Sequence, residues 1–181
     1  MEVLLENLGA KLDNAKIDAL IRLKMVNMNF YPTCPNPELM VGVGHHSDLG
    51  ALTVLLQDGI GGLYVKVEED IENVAKKGEW VEIPSIDGAL VINVDDTLQM
   101  ISNGKYESAE HRAGTTSTKS RESIPLFTMP MPTVRIEPLP QLVDRDGRAQ
   151  FREVVFKGYY MNNFFSNAHD GKKSLHFAQL D

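Results

Sequence analysis

A mainly β domain, a sandwich or jelly roll with helices at its two ends, is the fold class that this sequence predicts. Beyond Val26, short runs rich in Val, Ile, Leu, Phe and Tyr follow one another, as strands packed on a core do. Asp58-Gly59, Asp87-Gly88, Asn103-Gly104 and Asp146-Gly147 punctuate them as turn or hairpin signals. No long helical pattern stands between the runs, as a parallel α/β sheet would require.

The elements can be justified in order. Leu4, Leu8 and Leu12 recur at every fourth position, and Ile17, Leu20 and Ile21 form a second stripe after the Asp13-Asn14 break, so helices are expected before the first strand. Strands are expected over Val26–Tyr31, Leu52–Gln57, Leu63–Val67, Trp80–Ile83, Ala89–Val94, Ser108–Arg112 and Ser123–Met129. Pro130-Met131-Pro132 and Pro138-Leu139-Pro140 mark an extended loop, and Phe151–Phe165 reads as a closing helical segment. The division is a helical support segment over 1–25, a β core over 26–135 and a C-terminal loop and helical extension over 136–181.

A chain of 181 residues is ordinary for one domain. It should bury roughly 70% of its unfolded surface, so no disulfide or structural metal is needed to hold it. The formal charge of −7, from 25 acidic and 18 basic side chains, would repel a phosphate backbone, so no nucleic-acid partner is expected. The single cysteine, Cys34, has no second thiol to pair with, which favours a reducing compartment. The first residues lack the basic and apolar regions of a secretory leader, and no run approaches the ~18 apolar residues that span a bilayer. The expected address is the cytosol, without membrane attachment.

Four groups of residues bear on chemistry. In His46-Ser47-Asp48 an extended backbone would turn His46 and Asp48 to one face, and His111, flanked at two residues' distance by the small Ala109 and Ala113, is a candidate third ligand. Two histidines and one carboxylate on one side of an ion leave its other positions open, as in non-haem iron(II) oxygenases. Taken alone, His-x-Asp is common and reads as a loop histidine beside a solvated aspartate. His45 would face away from Asp48, which suits packing or the surface. Arg121-Glu122-Ser123 puts a guanidinium and a hydroxyl on one strand face, suited to gripping a carboxylate with paired charge-assisted hydrogen bonds. In Asn29-Phe30-Tyr31-Pro32 the Tyr31 phenol could join that grip or belong to the core. Phe127, Phe164 and Phe165 are candidates for stacking on an aromatic substrate, and Asp95-Asp96 reads as a turn or solvated edge.

As an ordered set, Asn29-Phe30-Tyr31-Pro32, His46-Ser47-Asp48, Leu52-Thr53-Val54-Leu55-Leu56-Gln57-Asp58, Ile101-Ser102-Asn103-Gly104-Lys105-Tyr106, His111 and Arg121-Glu122-Ser123 resemble the plant 2-oxoglutarate- and iron(II)-dependent dioxygenases. Asn36-Pro37-Glu38-Leu39, Asp58-Gly59-Ile60-Gly61-Gly62-Leu63-Tyr64-Val65 and Met161-Asn162-Asn163-Phe164-Phe165 narrow the likeness to the feruloyl-CoA ortho-hydroxylases and scopoletin hydroxylases of coumarin biosynthesis. The resemblance implies a double-stranded β-helix, the cupin-like jelly roll. It implies catalytic iron ligands His46, Asp48 and His111 and 2-oxoglutarate contacts Tyr31, Arg121 and Ser123. It further implies Fe(II), 2-oxoglutarate and O2 as cofactors and co-substrates, with ascorbate as a supporting reductant. The reaction would be hydroxylation of a small aromatic phenylpropanoid, a CoA thioester such as feruloyl-CoA included, coupled to decarboxylation of 2-oxoglutarate to succinate. A monomer or weak homodimer is expected.

Three departures stand out. Asp95 occupies a position where the family pattern leads one to expect glycine, His45 one where arginine is frequent, and family members carry about as many residues again before the present start. The expectation is therefore a catalytic jelly roll without the family's N-terminal region, leaving apolar surface on Leu4, Leu8 and Leu12 or on the outer sheet. A jelly roll that binds metal and 2-oxoglutarate without turnover is the alternative.

Overall fold

The computed structural model describes residues 1–72, 74–160 and 173–180. Two short helices open it, α1 (Glu2–Asn7) and α2 (Asn14–Ile21). Gly9, in the left-handed region at φ +70°, turns the chain after α1. Asp13 caps α2 by accepting a 2.8 Å hydrogen bond from the Lys16 amide. Leu4, Leu8 and Leu12 are half-buried against the core, so the apolar surface expected on them is largely covered.

Strands β1 (Leu23–Val26) and β2 (Asn29–Tyr31) replace the single strand expected over 26–31. Both pair antiparallel with a later strand in one unbroken register, Val26 with Leu126 and Asn29 with Ser123. The interruption lies opposite Ile124 and Pro125, and a proline has no N–H to give the ladder. A 3-10 turn (Pro37–Leu39) leads to β3 (Val41–His46), a strand not anticipated because Gly42 and Gly44 blank out every second position of its pattern. There follow β4 (Leu52–Gln57), β5 (Leu63–Lys66), β6 (Trp80–Ile83) and β7 (Val91–Val94). Helix α3 (Asp96–Ile101) was also unforeseen: five of its six residues are buried, which erases the two-faced pattern that marks a surface helix. Strand β8 runs over His111–Gly114, starting three residues and ending two residues later than expected, and β9 over Arg121–Met129.

The C-terminal third departs most from expectation. The proline-marked loop contains β10 (Arg135–Ile136) and then α4 (Pro140–Asp146), which has Pro140 in its first turn and ends at Gly147 in the left-handed region. The expected closing helix is extended at first: Phe151 bridges to Gln179 and β11 (Val154–Val155) pairs with β10 before residues 156–160 turn helical. Residues 161–165 of that expectation lie outside the described residues, and α5 (Lys173–Ala178) follows.

Two antiparallel sheets form the jelly roll. The larger has the order β1-β9-β4-β7 with β2 also on β9, and the smaller has the order β3-β8-β5-β6. The densest packing is not between them. It lies where α1 to α5 meet the ends of β4, β7 and β9, around Leu5, Leu98, Met100, Leu142 and Tyr159. The space between the sheets is instead left as a cavity. On the outer face of the larger sheet Val26, Leu126, Val54 and Ile92 form one cross-strand row, and Val26, Ile92, Leu56 and Phe30 are exposed, as expected for an uncovered outer sheet.

Candidate metal centre and anion clamp

His46 is the last residue of β3 and His111 the first of β8, and the two are register partners in the smaller sheet. Their rings are 4.4 Å apart between centroids. Asp48 is not on the strand with His46, as extended geometry suggested, but in the loop that follows. That loop is pinned by the start of α3: the Asp96 amide donates to the Asp48 carbonyl at 2.8 Å, the Thr97 amide to the Gly50 carbonyl at 2.9 Å and the Ser47 hydroxyl to the Asp96 carboxylate at 3.2 Å. A Cβ at Gly50 would run into the Thr128 carbonyl, so the loop can lie this close to β9 only with glycine there.

Each imidazole is oriented by its own backbone. The Gly44 carbonyl lies 2.8 Å from His46 Nδ1 and the Ala109 carbonyl 3.0 Å from His111 Nδ1. A carbonyl only accepts, so both Nδ1 atoms carry a proton, and in the neutral ring each Nε2 keeps its lone pair. Those Nε2 atoms lie 3.5 Å (His46) and 3.8 Å (His111) from the two Asp48 carboxylate oxygens. One ligand atom from each residue fits within 4.8 Å of the others. Two neutral imidazole nitrogens and a carboxylate with lone pairs directed at a common point are a donor set that fits a divalent iron-type ion.

Burial alone would raise the Asp48 carboxyl, but His46 and His111 outweigh it and hold it below the usual carboxylate value. Burial would lower His46, yet Asp48 and the Gly44 carbonyl raise it overall; for His111 burial prevails and its value is lowered. Asp95 and Asp96, expected at a turn or solvated edge, are both fully buried. Burial pushes Asp96 up to about 6 against hydrogen bonds from groups that include Tyr159 and Ser47, with Asp48 adding repulsion. Asp95 is also raised well above the normal range, by burial and then by Asp48.

Across the cavity, Arg121 and Ser123 point inward from β9 while Glu122 points out. Register places Tyr31 opposite Arg121, and both Asn29 and Gln57 opposite Ser123, so five polar side chains share the inner face. Arg121 is 1% exposed. It donates to the Ser123 hydroxyl at 3.2 Å and to Gln57 Oε1 at 2.9 Å, and its guanidinium carbon lies 5.1 Å from the Tyr31 ring centroid. Its Nε is shut off from solvent and has no hydrogen-bond partner among the described residues. Two glycines make room: a Cβ at Gly42 would sit 2.8 Å from the Tyr31 ring, and one at Gly62, at φ +118°, would sit 3.3 Å from Arg121 Cδ.

Metal triad and clamp line one cavity of about 220 Å3. All six candidate residues reach it, although β8 and β9 belong to different sheets. Phe127 lines it among apolar walls that include Val43, Leu55 and Val65; Phe164 and Phe165 lie outside the described residues. His45 faces away, bonded to Glu110 at 2.7 Å. Gln57 and Asn93 went unrecognised as site residues. Strand parity puts Gln57 on the face of Thr53 and Leu55, but only register shows what it meets.

Jelly-roll sheets enclosing two histidines and a carboxylate beside a buried arginine define a non-haem metal oxygenase type of centre. Residues 22–130 match the profile described as "2OG-Fe(II) oxygenase superfamily". The chain belongs to that family. It is 58% identical over 181 residues to scopoletin 8-hydroxylase of Arabidopsis thaliana, covering all of this chain and 48% of that protein. It is 47% identical over 172 residues to a feruloyl CoA ortho-hydroxylase of Ipomoea batatas, covering 94% of this chain and 46% of that one. The chain thus spans about half the length of the curated relatives it matches. Among solved structures, JOX2 in complex with 2OG, Fe and JA superposes with a TM-score of 0.84 at 30% identity, covering all of this chain and 52% of that one. The rice dioxygenase for auxin oxidation gives 0.73 at 26% identity, covering 98% and 59%.

Proposed function

We propose that this chain carries the catalytic centre of an Fe(II)- and 2-oxoglutarate-dependent dioxygenase that hydroxylates a small phenylpropanoid or coumarin. One observation carries the reading: two backbone-oriented imidazoles turn their Nε2 atoms to Asp48, in the same cavity as a buried arginine. His46, Asp48 and His111 would hold the iron. Arg121, Ser123 and Tyr31 would hold the far carboxylate of 2-oxoglutarate, with Gln57 fixing the guanidinium. Bound together, iron and 2-oxoglutarate supply the oxidising power for hydroxylation with O2, the keto acid ending as succinate and carbon dioxide.

The chain's own residues supply placement and dryness. Arg121 reaches its anion from a site with almost no water contact, where a charge-assisted hydrogen bond is worth most. Asp48 stays ionised between its imidazoles and brings one negative charge to a dication. The apolar walls with Phe127 suit a flat aromatic substrate, in keeping with relatives named for scopoletin and feruloyl CoA. No described helix is long and apolar enough to cross a membrane; we place the protein in the cytosol, as a monomer or weak homodimer, on the strength of its lone cysteine and its net charge of −7.

Incubation with Fe(II), 2-oxoglutarate, ascorbate and O2, with scopoletin and feruloyl-CoA supplied in parallel, tests the proposal. The expected result is succinate formed in step with a product one oxygen heavier. Iron and 2-oxoglutarate binding without succinate on any phenylpropanoid would instead establish the binding-only alternative.

A further inference from the structure

We propose that Asp95 is a positioning residue for Asp48, acting through Asn93. The Asn93 amide nitrogen lies 3.2 Å from Asp48 Oδ2 and 3.2 Å from Asp95 Oδ1. Its two hydrogens serve two acceptors, whereas the flipped amide would press its oxygen against the ionised Asp48 carboxylate, so the orientation is set. The Thr53 hydroxyl donates to the other Asp95 oxygen at 3.0 Å. Asp95 is therefore fixed at both ends and is 0% exposed.

Its position makes this arrangement informative. Asp95 is the N-cap residue of α3, where an aspartate ordinarily accepts from the first-turn amides. Here it makes no capping bond, and its carboxylate is turned to Asn93 and Thr53 instead. The chain also makes space for it, because a Cβ at Gly50 would lie 2.8 Å from Asp95 Oδ2. A buried carboxylate that forgoes its cap to hold an amide adjusts the group beyond that amide. With Asn93 occupying Asp48 Oδ2, Oδ1, the oxygen nearer His46 Nε2, receives no N–H from Asn93. Asp95 thus biases Asp48 toward offering a single, oriented oxygen, as supporting partners of metal ligands do.

The inference rests on Asp48 being a metal ligand, and the test separates the two. Cobalt(II), as an optical probe of the site, and iron(II) under nitrogen are titrated into the 181-residue chain and its variants, without turnover. Asp95→Ala is expected to weaken both metals by roughly tenfold or more and to shift the visible cobalt spectrum, while far-ultraviolet circular dichroism stays unchanged. Asp95→Asn, which keeps an acceptor for Asn93, is expected to restore affinity and spectrum. In an Asn93→Ala background Asp95→Ala is expected to have little further effect. If Asp95→Ala does not fold, Asp95→Ser, suited to an N-cap but too short to reach Asn93, replaces it with the same expectation. Wild-type affinity and spectrum in the truncated variant, or equal loss with Asn and Ala, overturn the inference. A wild-type chain that binds neither metal overturns the ligand reading itself, and this inference with it.

Discussion

Replacing Arg121 by alanine should separate the two halves of the site. Arg121 Nη1 and Nη2 donate to Ser123 and Gln57, and an incoming carboxylate would take the N–H groups that these two bonds leave over. Hydrogen bonds involving a charged group contribute about 1.5–3 kcal/mol each. Two to the 2-oxoglutarate carboxylate, discounted for rearranging the Ser123 and Gln57 contacts, come to about 3 kcal/mol, or roughly a hundredfold in Kd. The metal ligands come from β3, its following loop and β8, none of which the substitution touches, so iron affinity should stay within about twofold. Arg121→Lys keeps the charge but loses the fork, and should fall between the two. Anaerobic titration of iron alone, then of 2-oxoglutarate into the iron complex, measures both constants. Equal loss of iron and 2-oxoglutarate, or unchanged 2-oxoglutarate binding, would refute the clamp.

Other outcomes follow from the same geometry. Asp48→Asn should abolish tight iron binding and also lower the metal-free melting temperature at neutral pH, since His46 and His111 hold the Asp48 carboxyl below its ordinary value and the ionised group therefore favours the folded state; calorimetry with and without metal reads both. Asp96, with a folded value of about 6 against 3.8, holds its proton more tightly in the native state, so its contribution is full below about pH 3.8 and fades as pH rises through 6. The unfolding free energy of the metal-free wild type minus that of Asp96→Asn should therefore fall by about 3 kcal/mol across that window. Urea denaturation in chelator checks this, and a flat or rising difference contradicts it. Gly42→Ala should displace the Tyr31 ring, costing about 1–3 kcal/mol of stability and weakening 2-oxoglutarate more than iron, as melting and titration would show.

The chemistry-bearing residues were legible in sequence because they sit in short local patterns whose type and order carry the information. His46, Asp48, His111, Tyr31, Arg121 and Ser123 all reach the one cavity. What supports them was not legible, because it is non-local. Gln57 meets Arg121 only through the β4–β9 register, and Asn93 meets Asp48 across 45 residues of chain. Asp95-Asp96 looked like a solvated edge since nothing local foretells a carboxylate pair buried under α3. Asn103-Gly104 and Asp146-Gly147, which the sequence marks as turns or hairpins, end α3 and α4, with Asn103 at φ 54° and Gly147 at φ 79°. A residue that tolerates positive φ serves a helix end as well as a hairpin. Tight packing lies under the helices, while the two sheets line a cavity between them.

The central claim, that one cavity holds iron and 2-oxoglutarate together, is tested most directly by anaerobic optical titration of the folded wild-type chain with Fe(II) and then 2-oxoglutarate. The account predicts a visible metal-to-ligand charge-transfer band that saturates at one equivalent of each. Folded protein that shows no such band at saturating concentrations of both would contradict it.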